Sequence, residues 1–132
     1  MAIGAPLEAT SVRKAGVVYV FEGSGNGWTT QHKLTASSAM EEDEFGTAVA
    51  VHGHYLAIGS PYHGHFNEGA VYLFLARGQE WQEYSLFTGD PSTAFLGAAV
   101  DLEKDTLAAG APSFVDFTGT RGIGAGYVFR IR

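Results

Sequence analysis

Three short motifs recur in the same order along this 132-residue chain, and their spacing limits the folds open to it. The first motif is AIGAP at 2–6, AIGSP at 57–61 and AAGAP at 108–112, with glycines 55 and 51 residues apart. The second motif is VYVF at 18–21, VYLF at 71–74 and GYVF at 126–129. The third motif is FGTAV at 45–49 and LGAAV at 96–100. Such periodicity predicts a protein built from repeated supersecondary units.

The middle repeat predicts four short β-strands. They fall at 45–51, 55–60, 69–75 and 81–87, and Gly-containing turns separate them. The first repeat shows only strands two to four, and the last shows only strands one to three. We therefore predict ten strands and no helix. The 18 glycines and abundant aromatic residues favour an all-β chain with many tight turns.

A repeat of this length with four antiparallel strands has the size of a β-propeller blade. The predicted division is a partial blade at 1–44, a full blade at 45–94 and a partial blade at 95–132. Closed propellers need roughly four to eight blades. We therefore expect about two and a half repeats, an incomplete propeller unless the chain assembles or belongs to a longer protein.

The motifs resemble the FG-GAP repeat family, which includes the integrin α-subunit propeller and tandem repeats of bacterial surface proteins. Phe45 and Gly46 carry the first half of that name, and residues 4–6 and 110–112 carry the second. The resemblance implies an extracellular or cell-surface location. Residues 1–6 are too short and too broken by Gly and Pro for a signal peptide, so a secretion signal would lie outside this chain.

The resemblance also implies a calcium loop between strands one and two. The middle repeat has no carboxylate at 51–55. In the last repeat Asp101, Glu103 and Asp105 alternate, but a lysine lies among them and the glycine is absent. These three are weak calcium candidates, and a plain polar hairpin is favoured. We predict no bound metal and no cofactor.

Two His-Gly-His sequences, at 52–54 and 63–65, invite a metal interpretation because imidazole binds zinc, copper and nickel. The predicted topology places them at opposite ends of strand two, so they cannot form one four-histidine site. Each pair alone supplies too few ligands for zinc. The acidic run at 41–44 is predicted to be a solvated connector between blades, rather than a contact for a basic ligand or a cation.

The loop between strands two and three is the best candidate for ligand contact. The candidate residues in the middle and last repeats are Tyr62, His63, His65, Phe66, Phe114 and Phe117. Exposed aromatic rings at one rim can bind a sugar face or a protein. The favoured interpretation is nevertheless that these rings fold back onto the blade.

Composition and motifs exclude several function classes. A net charge of −6 argues against nucleic acid and anionic membranes as partners, and no apolar run is long enough to span a bilayer. The chain has no cysteine and no G-x-S-x-G nucleophile motif. We predict a non-catalytic interaction or structural module that presents rim loops to a protein or glycan. The alternatives are a self-assembling ring or filament (a homo-oligomer) and, third, a polysaccharide-acting enzyme.

Overall fold

The fold is all-β, as the motifs predicted. In this computed structural model the structure describes residues 1–90, 93–114 and 123–132. These ranges form eleven strands and no helix: β1 Ala2–Ala5, β2 Val17–Ser24, β3 Gly27–Leu34, β4 Ala48–His52, β5 Tyr55–Ser60, β6 Ala70–Arg77, β7 Glu80–Thr88, β8 Thr93–Ala94, β9 Ala99–Glu103, β10 Thr106–Phe114 and β11 Ile123–Arg130.

The strands form three antiparallel sheets. The first sheet has the order β1-β2-β3, and the middle sheet has the order β4-β5-β6-β7. In the third sheet β10 pairs with β9, with β11 and, at its far end, with the short β8. The sheets are unclosed, as expected for incomplete propeller blades. The blade boundaries at 45 and 95 remain a prediction.

Two details of the strand prediction were wrong. Strand one of the middle blade begins at Ala48 instead of Phe45, because Gly46 has a φ of +99° and turns the chain. The turn is closed by the Thr47 N–H, which donates to the Glu44 carbonyl at 3.2 Å. The sequence also missed β8, so the described ranges hold eleven strands instead of ten.

Two apolar cores lie on either side of the middle sheet. Leu56 and Ile58 of β5 pack against the first sheet, whereas Ala57 between them packs against the third sheet. This alternation follows from the two-residue period of a strand. Phe45 is fully buried in the core between the first and middle sheets, where its ring packs edge-on against that of Tyr72 with 5.1 Å between the ring centroids. The middle sheet is therefore covered on both faces.

Paired glycines set the distance between neighbouring sheets. We call residues 45–46 and 96–97 the FG turns. A Cβ atom added to Gly4 would lie 1.9 Å from the Gly46 carbonyl oxygen, and one added to Gly59 would lie 1.9 Å from that of Gly97. The Gly46 N–H donates to the Gly59 carbonyl of its own sheet at 3.0 Å. Each FG turn thus bonds to its own blade and packs on the backbone of the preceding one.

Candidate functional site: the loop between β5 and β6

The loop from residue 61 to residue 69 is held in shape by its own backbone hydrogen bonds. The His63 N–H donates to the Ser60 carbonyl at 3.2 Å, and the Gly69 N–H donates to the His63 carbonyl at 2.9 Å. Gly64 and Asn67 both have positive φ, a backbone conformation common in tight turns. The side chains of this loop are consequently presented on a fixed backbone.

His63 is turned inward and anchors the loop. Its ring Nδ1 lies 2.7 Å from Oδ2 of Asp43, whose side chain is only 1% exposed. The same carboxylate oxygen accepts the Met40 N–H at 2.8 Å, and the Ser60 hydroxyl donates to the Asp43 carbonyl at 2.8 Å. These contacts fasten the β5–β6 loop to the segment that connects the first and middle sheets.

Asp43 belongs to the acidic run, and the prediction that this run is solvated is therefore wrong at that residue. The neighbouring Glu41 and Glu42 do face solvent, but both pair with Arg13 in the loop between β1 and β2. Lys14 adds a longer contact to Glu42 at 3.8 Å. The run is attached to its neighbours because Arg13 pairs with two of its carboxylates and His63 contacts a third.

The ring of Phe66 projects into solvent. Its side chain is 81% exposed, and its backbone N–H donates to Oε2 of Glu68 at 3.0 Å. Tyr62 is also exposed, but its ring contacts that of Phe95 edge-on at 5.4 Å. His65 beside them is exposed as well. The loop therefore exposes the rings of Tyr62 and Phe66 and the imidazole of His65 to solvent.

The candidates of the last repeat give less information. Phe114 is the final residue of β10, where its backbone pairs with Ile123 and Thr93, so it belongs to a strand instead of a loop. Phe117 lies outside the described residues. The aromatic surface is therefore defined by the middle repeat alone.

An acidic cavity of about 420 Å³ separates the connector from the loop. Its lining residues are Glu41, Glu42, Glu44, Tyr62, Gly64 and Asn67. Carboxylates around a cavity favour cationic groups, but Arg13 already pairs with two of them. The cavity forms one flank of the exposed aromatic surface.

The calcium candidates do not converge on one point. Asp101 and Glu103 lie on the exposed face of β9, and Asp105 lies in the following hairpin, where its Oδ2 is 3.8 Å from Nε of Arg130. Within residues 1–90, 93–114 and 123–132, no group of three or more His, Asp or Glu side chains could hold a metal. The two His-Gly-His sequences lie at opposite ends of β5.

A polar cluster on the outer face of the first sheet was missed by the sequence reasoning. The Tyr19 hydroxyl donates to Glu8 at 2.7 Å, and Lys33 Nζ contacts the same carboxylate at 3.0 Å. The Tyr19 and Lys33 hydrogen bonds lower the pKa of Glu8, and the bond to Glu8 raises the pKa of Tyr19. No local motif joins residues so far apart in the chain, so only the strand register reveals the cluster.

Residues 28–74 match the family model described as FG-GAP repeat. The resemblance to this family that the motifs predicted is confirmed over these residues. The match runs from β3 through β6 and includes the first FG turn and the buried Asp43. No curated protein matches the chain. Among the residues that the structure describes, none forms a helix long and apolar enough to cross a bilayer.

Proposed function

We propose that this chain is a non-catalytic interaction module that presents the β5–β6 loop to a protein or glycan partner. The supporting observation is Phe66, a large apolar ring held 81% exposed on a loop with a fixed backbone. Exposed aromatic side chains on rigid loops are typical contact residues, since they offer large area at low entropy cost. Tyr62 and His65 extend the contact surface, and His63 positions it.

The FG-GAP family is generally non-enzymatic, and this supports a binding role over a catalytic one. An aromatic ring can stack on the apolar face of a sugar, or it can fill a pocket in a protein. The location that we propose, extracellular or cell-surface, rests on the family. Glycans and protein ectodomains are both available as partners there.

The direct test compares Phe66→Ala with Trp28→Ala on a glycan array and on a displayed peptide library. Trp28 is a matched control because it is an aromatic residue 56% exposed in β3, outside the proposed surface. We expect the wild-type chain to select one ligand class. Phe66→Ala should weaken that binding at least about tenfold, as for a contact hot spot, and Trp28→Ala should leave it unchanged.

Two results would contradict the proposal. One is a ligand that the Phe66→Ala variant binds as tightly as the wild-type chain does. The other is an absence of binding on both libraries by a chain that is folded by circular dichroism.

A further inference from the structure

One face of the third sheet is not covered by any of the described residues. We call it the trailing face, and its residues are Ala108, Gly110, Gly126 and Val128. Val128 is 74% exposed. A Cβ atom added to Gly110 would meet only the Ala99 side chain, at 3.7 Å. A shallow, mainly apolar groove runs along this face, and its lining consists mostly of alanines and glycines but includes Asp101.

The same motif positions are covered in the other two sheets. In the middle sheet the counterparts of the trailing face are Ala57, Gly59, Val71 and Leu73, all buried against the third sheet. In the first sheet Val18 and Val20 hold the counterpart positions and are buried against the middle sheet. The two internal interfaces, between the first and middle sheets and between the middle and third sheets, therefore show what kind of surface covers a trailing face.

The covering surface is also present, partly exposed, at the other end of the molecule. We call it the leading face of the first sheet: Ile3, Tyr19 and Phe21. Its counterparts in the middle sheet are Ile58, Tyr72 and Phe74, which are fully or almost fully buried against the first sheet. Ile3 itself is 48% exposed. One chain thus carries both halves of an interface that it already forms internally.

The two faces are complementary in shape. The trailing face consists of small residues around a groove, whereas the leading face carries large side chains that could fill it. The charged groups beside the leading face, Glu8 and Lys33, already pair with each other at 3.0 Å. Docking would therefore leave that ion pair intact, whereas Asp101, which lines the groove, must stay hydrated or find a partner in the contact because burying an unpaired charge is costly.

We propose that a second copy of this chain covers the trailing face with its leading face. The contact joins unlike surfaces, so repeating it gives either a ring or a filament. The described residues of each copy form three sheets, so two copies supply six, which lies within the roughly four to eight blades of the common closed forms. The proposed assembly is a closed dimer with two equivalent contacts.

The contact is weaker than its internal counterparts. Each internal interface includes an FG turn packed on a glycine, and the described part of the first sheet offers no such turn to a second copy. We therefore expect a dimer that dissociates on dilution. Its mass should approach twice the 14.0 kDa of the chain as concentration rises from low micromolar to submillimolar.

The test is analytical ultracentrifugation of three variants. Val128→Glu places a charge on the trailing face, and Ile3→Glu places one on the leading face. Val51→Glu is the matched control, because Val51 is an exposed valine of the middle sheet, outside both faces. We expect the first two variants to weaken dimerisation more than about tenfold and the control to dimerise like the wild type.

The most discriminating experiment is to mix the Val128→Glu and Ile3→Glu variants and measure the mass of the species that they form. The Val128→Glu variant keeps an intact leading face, and the Ile3→Glu variant keeps an intact trailing face. An equimolar mixture should therefore form a heterodimer through one restored contact, although neither variant dimerises alone. A contact between two identical faces could not be restored in this way.

Three outcomes would overturn the proposal. If the wild-type chain stays monomeric, a second copy does not cover the trailing face, and a blade of different sequence would have to do so. A dimer that survives Val128→Glu would place the contact elsewhere, such as at the outer strands β3 or β11. A species that keeps growing with concentration would exclude the closed ring in favour of an open filament.

Discussion

Glycines at equivalent positions of the repeat have different surroundings in this molecule. Gly59 faces the backbone of an FG turn, with room for a hydrogen atom only. Gly110 faces open space apart from one alanine side chain. Neither has a positive φ, so a substitution tests the available space without adding backbone strain.

We predict that Gly59→Ala lowers the free energy of unfolding by about 3 kcal/mol, because backbone atoms must move to admit the methyl group. Gly110→Ala should change it by less than about 0.5 kcal/mol, as for an exposed substitution. Urea unfolding followed by tryptophan fluorescence, at concentrations that keep the chain monomeric, measures both. Equal losses would show that the paired glycines do not set the distance between sheets.

At the scale of elements, the β5–β6 loop depends on Asp43. Removing its carboxylate leaves the His63 ring and the Met40 N–H without their acceptor in a buried setting. We predict that Asp43→Ala costs about 2–3 kcal/mol of stability, as for buried groups left unsatisfied. Asp43→Asn, which keeps one side-chain carbonyl oxygen, should cost about half as much.

Limited proteolysis provides the local readout for these two variants. Cleavage between residues 61 and 69 should be faster in Asp43→Ala than in Asp43→Asn, because the anchor of the loop is lost. A loop that is equally resistant in both variants would show that its own backbone hydrogen bonds suffice to hold it.

The strands were largely predictable because alternation and glycine turns are local signals. The start of β4 was not, since Phe45 and Gly46 continue the alternating pattern although Gly46 turns the chain. The two-residue β8 has no sequence pattern of its own, because only its pairing with β10 defines it.

The candidate site was only partly predictable. Tyr62 and Phe66 could be placed on a loop because of their position between two strands. The role of His63 could not, since its partner Asp43 lies 20 residues away in a run of acids that is typical of a solvated segment. Burial of one acid among four depends on tertiary contact, and no local spacing encodes it.

At the scale of the whole molecule, the middle sheet is the only one of the three that is packed on both faces in the described part of the chain. Strands β5 and β6 are almost wholly buried, whereas residues of β11 alternate between exposed and partly buried. Either outer sheet can therefore separate from the middle sheet and expose only the one apolar core between them. Their local stability should be lower than that of the middle sheet.

Native-state hydrogen exchange tests this arrangement most directly, measured on dilute monomeric chain at several urea concentrations below the unfolding transition. We predict that the amides of β5 and β6 exchange only through global unfolding. The amides of β11 should exchange through a smaller opening with a lower free energy and a weaker dependence on urea. Amides of β11 as strongly protected as those of β6 would contradict a molecule organised around one fully covered blade.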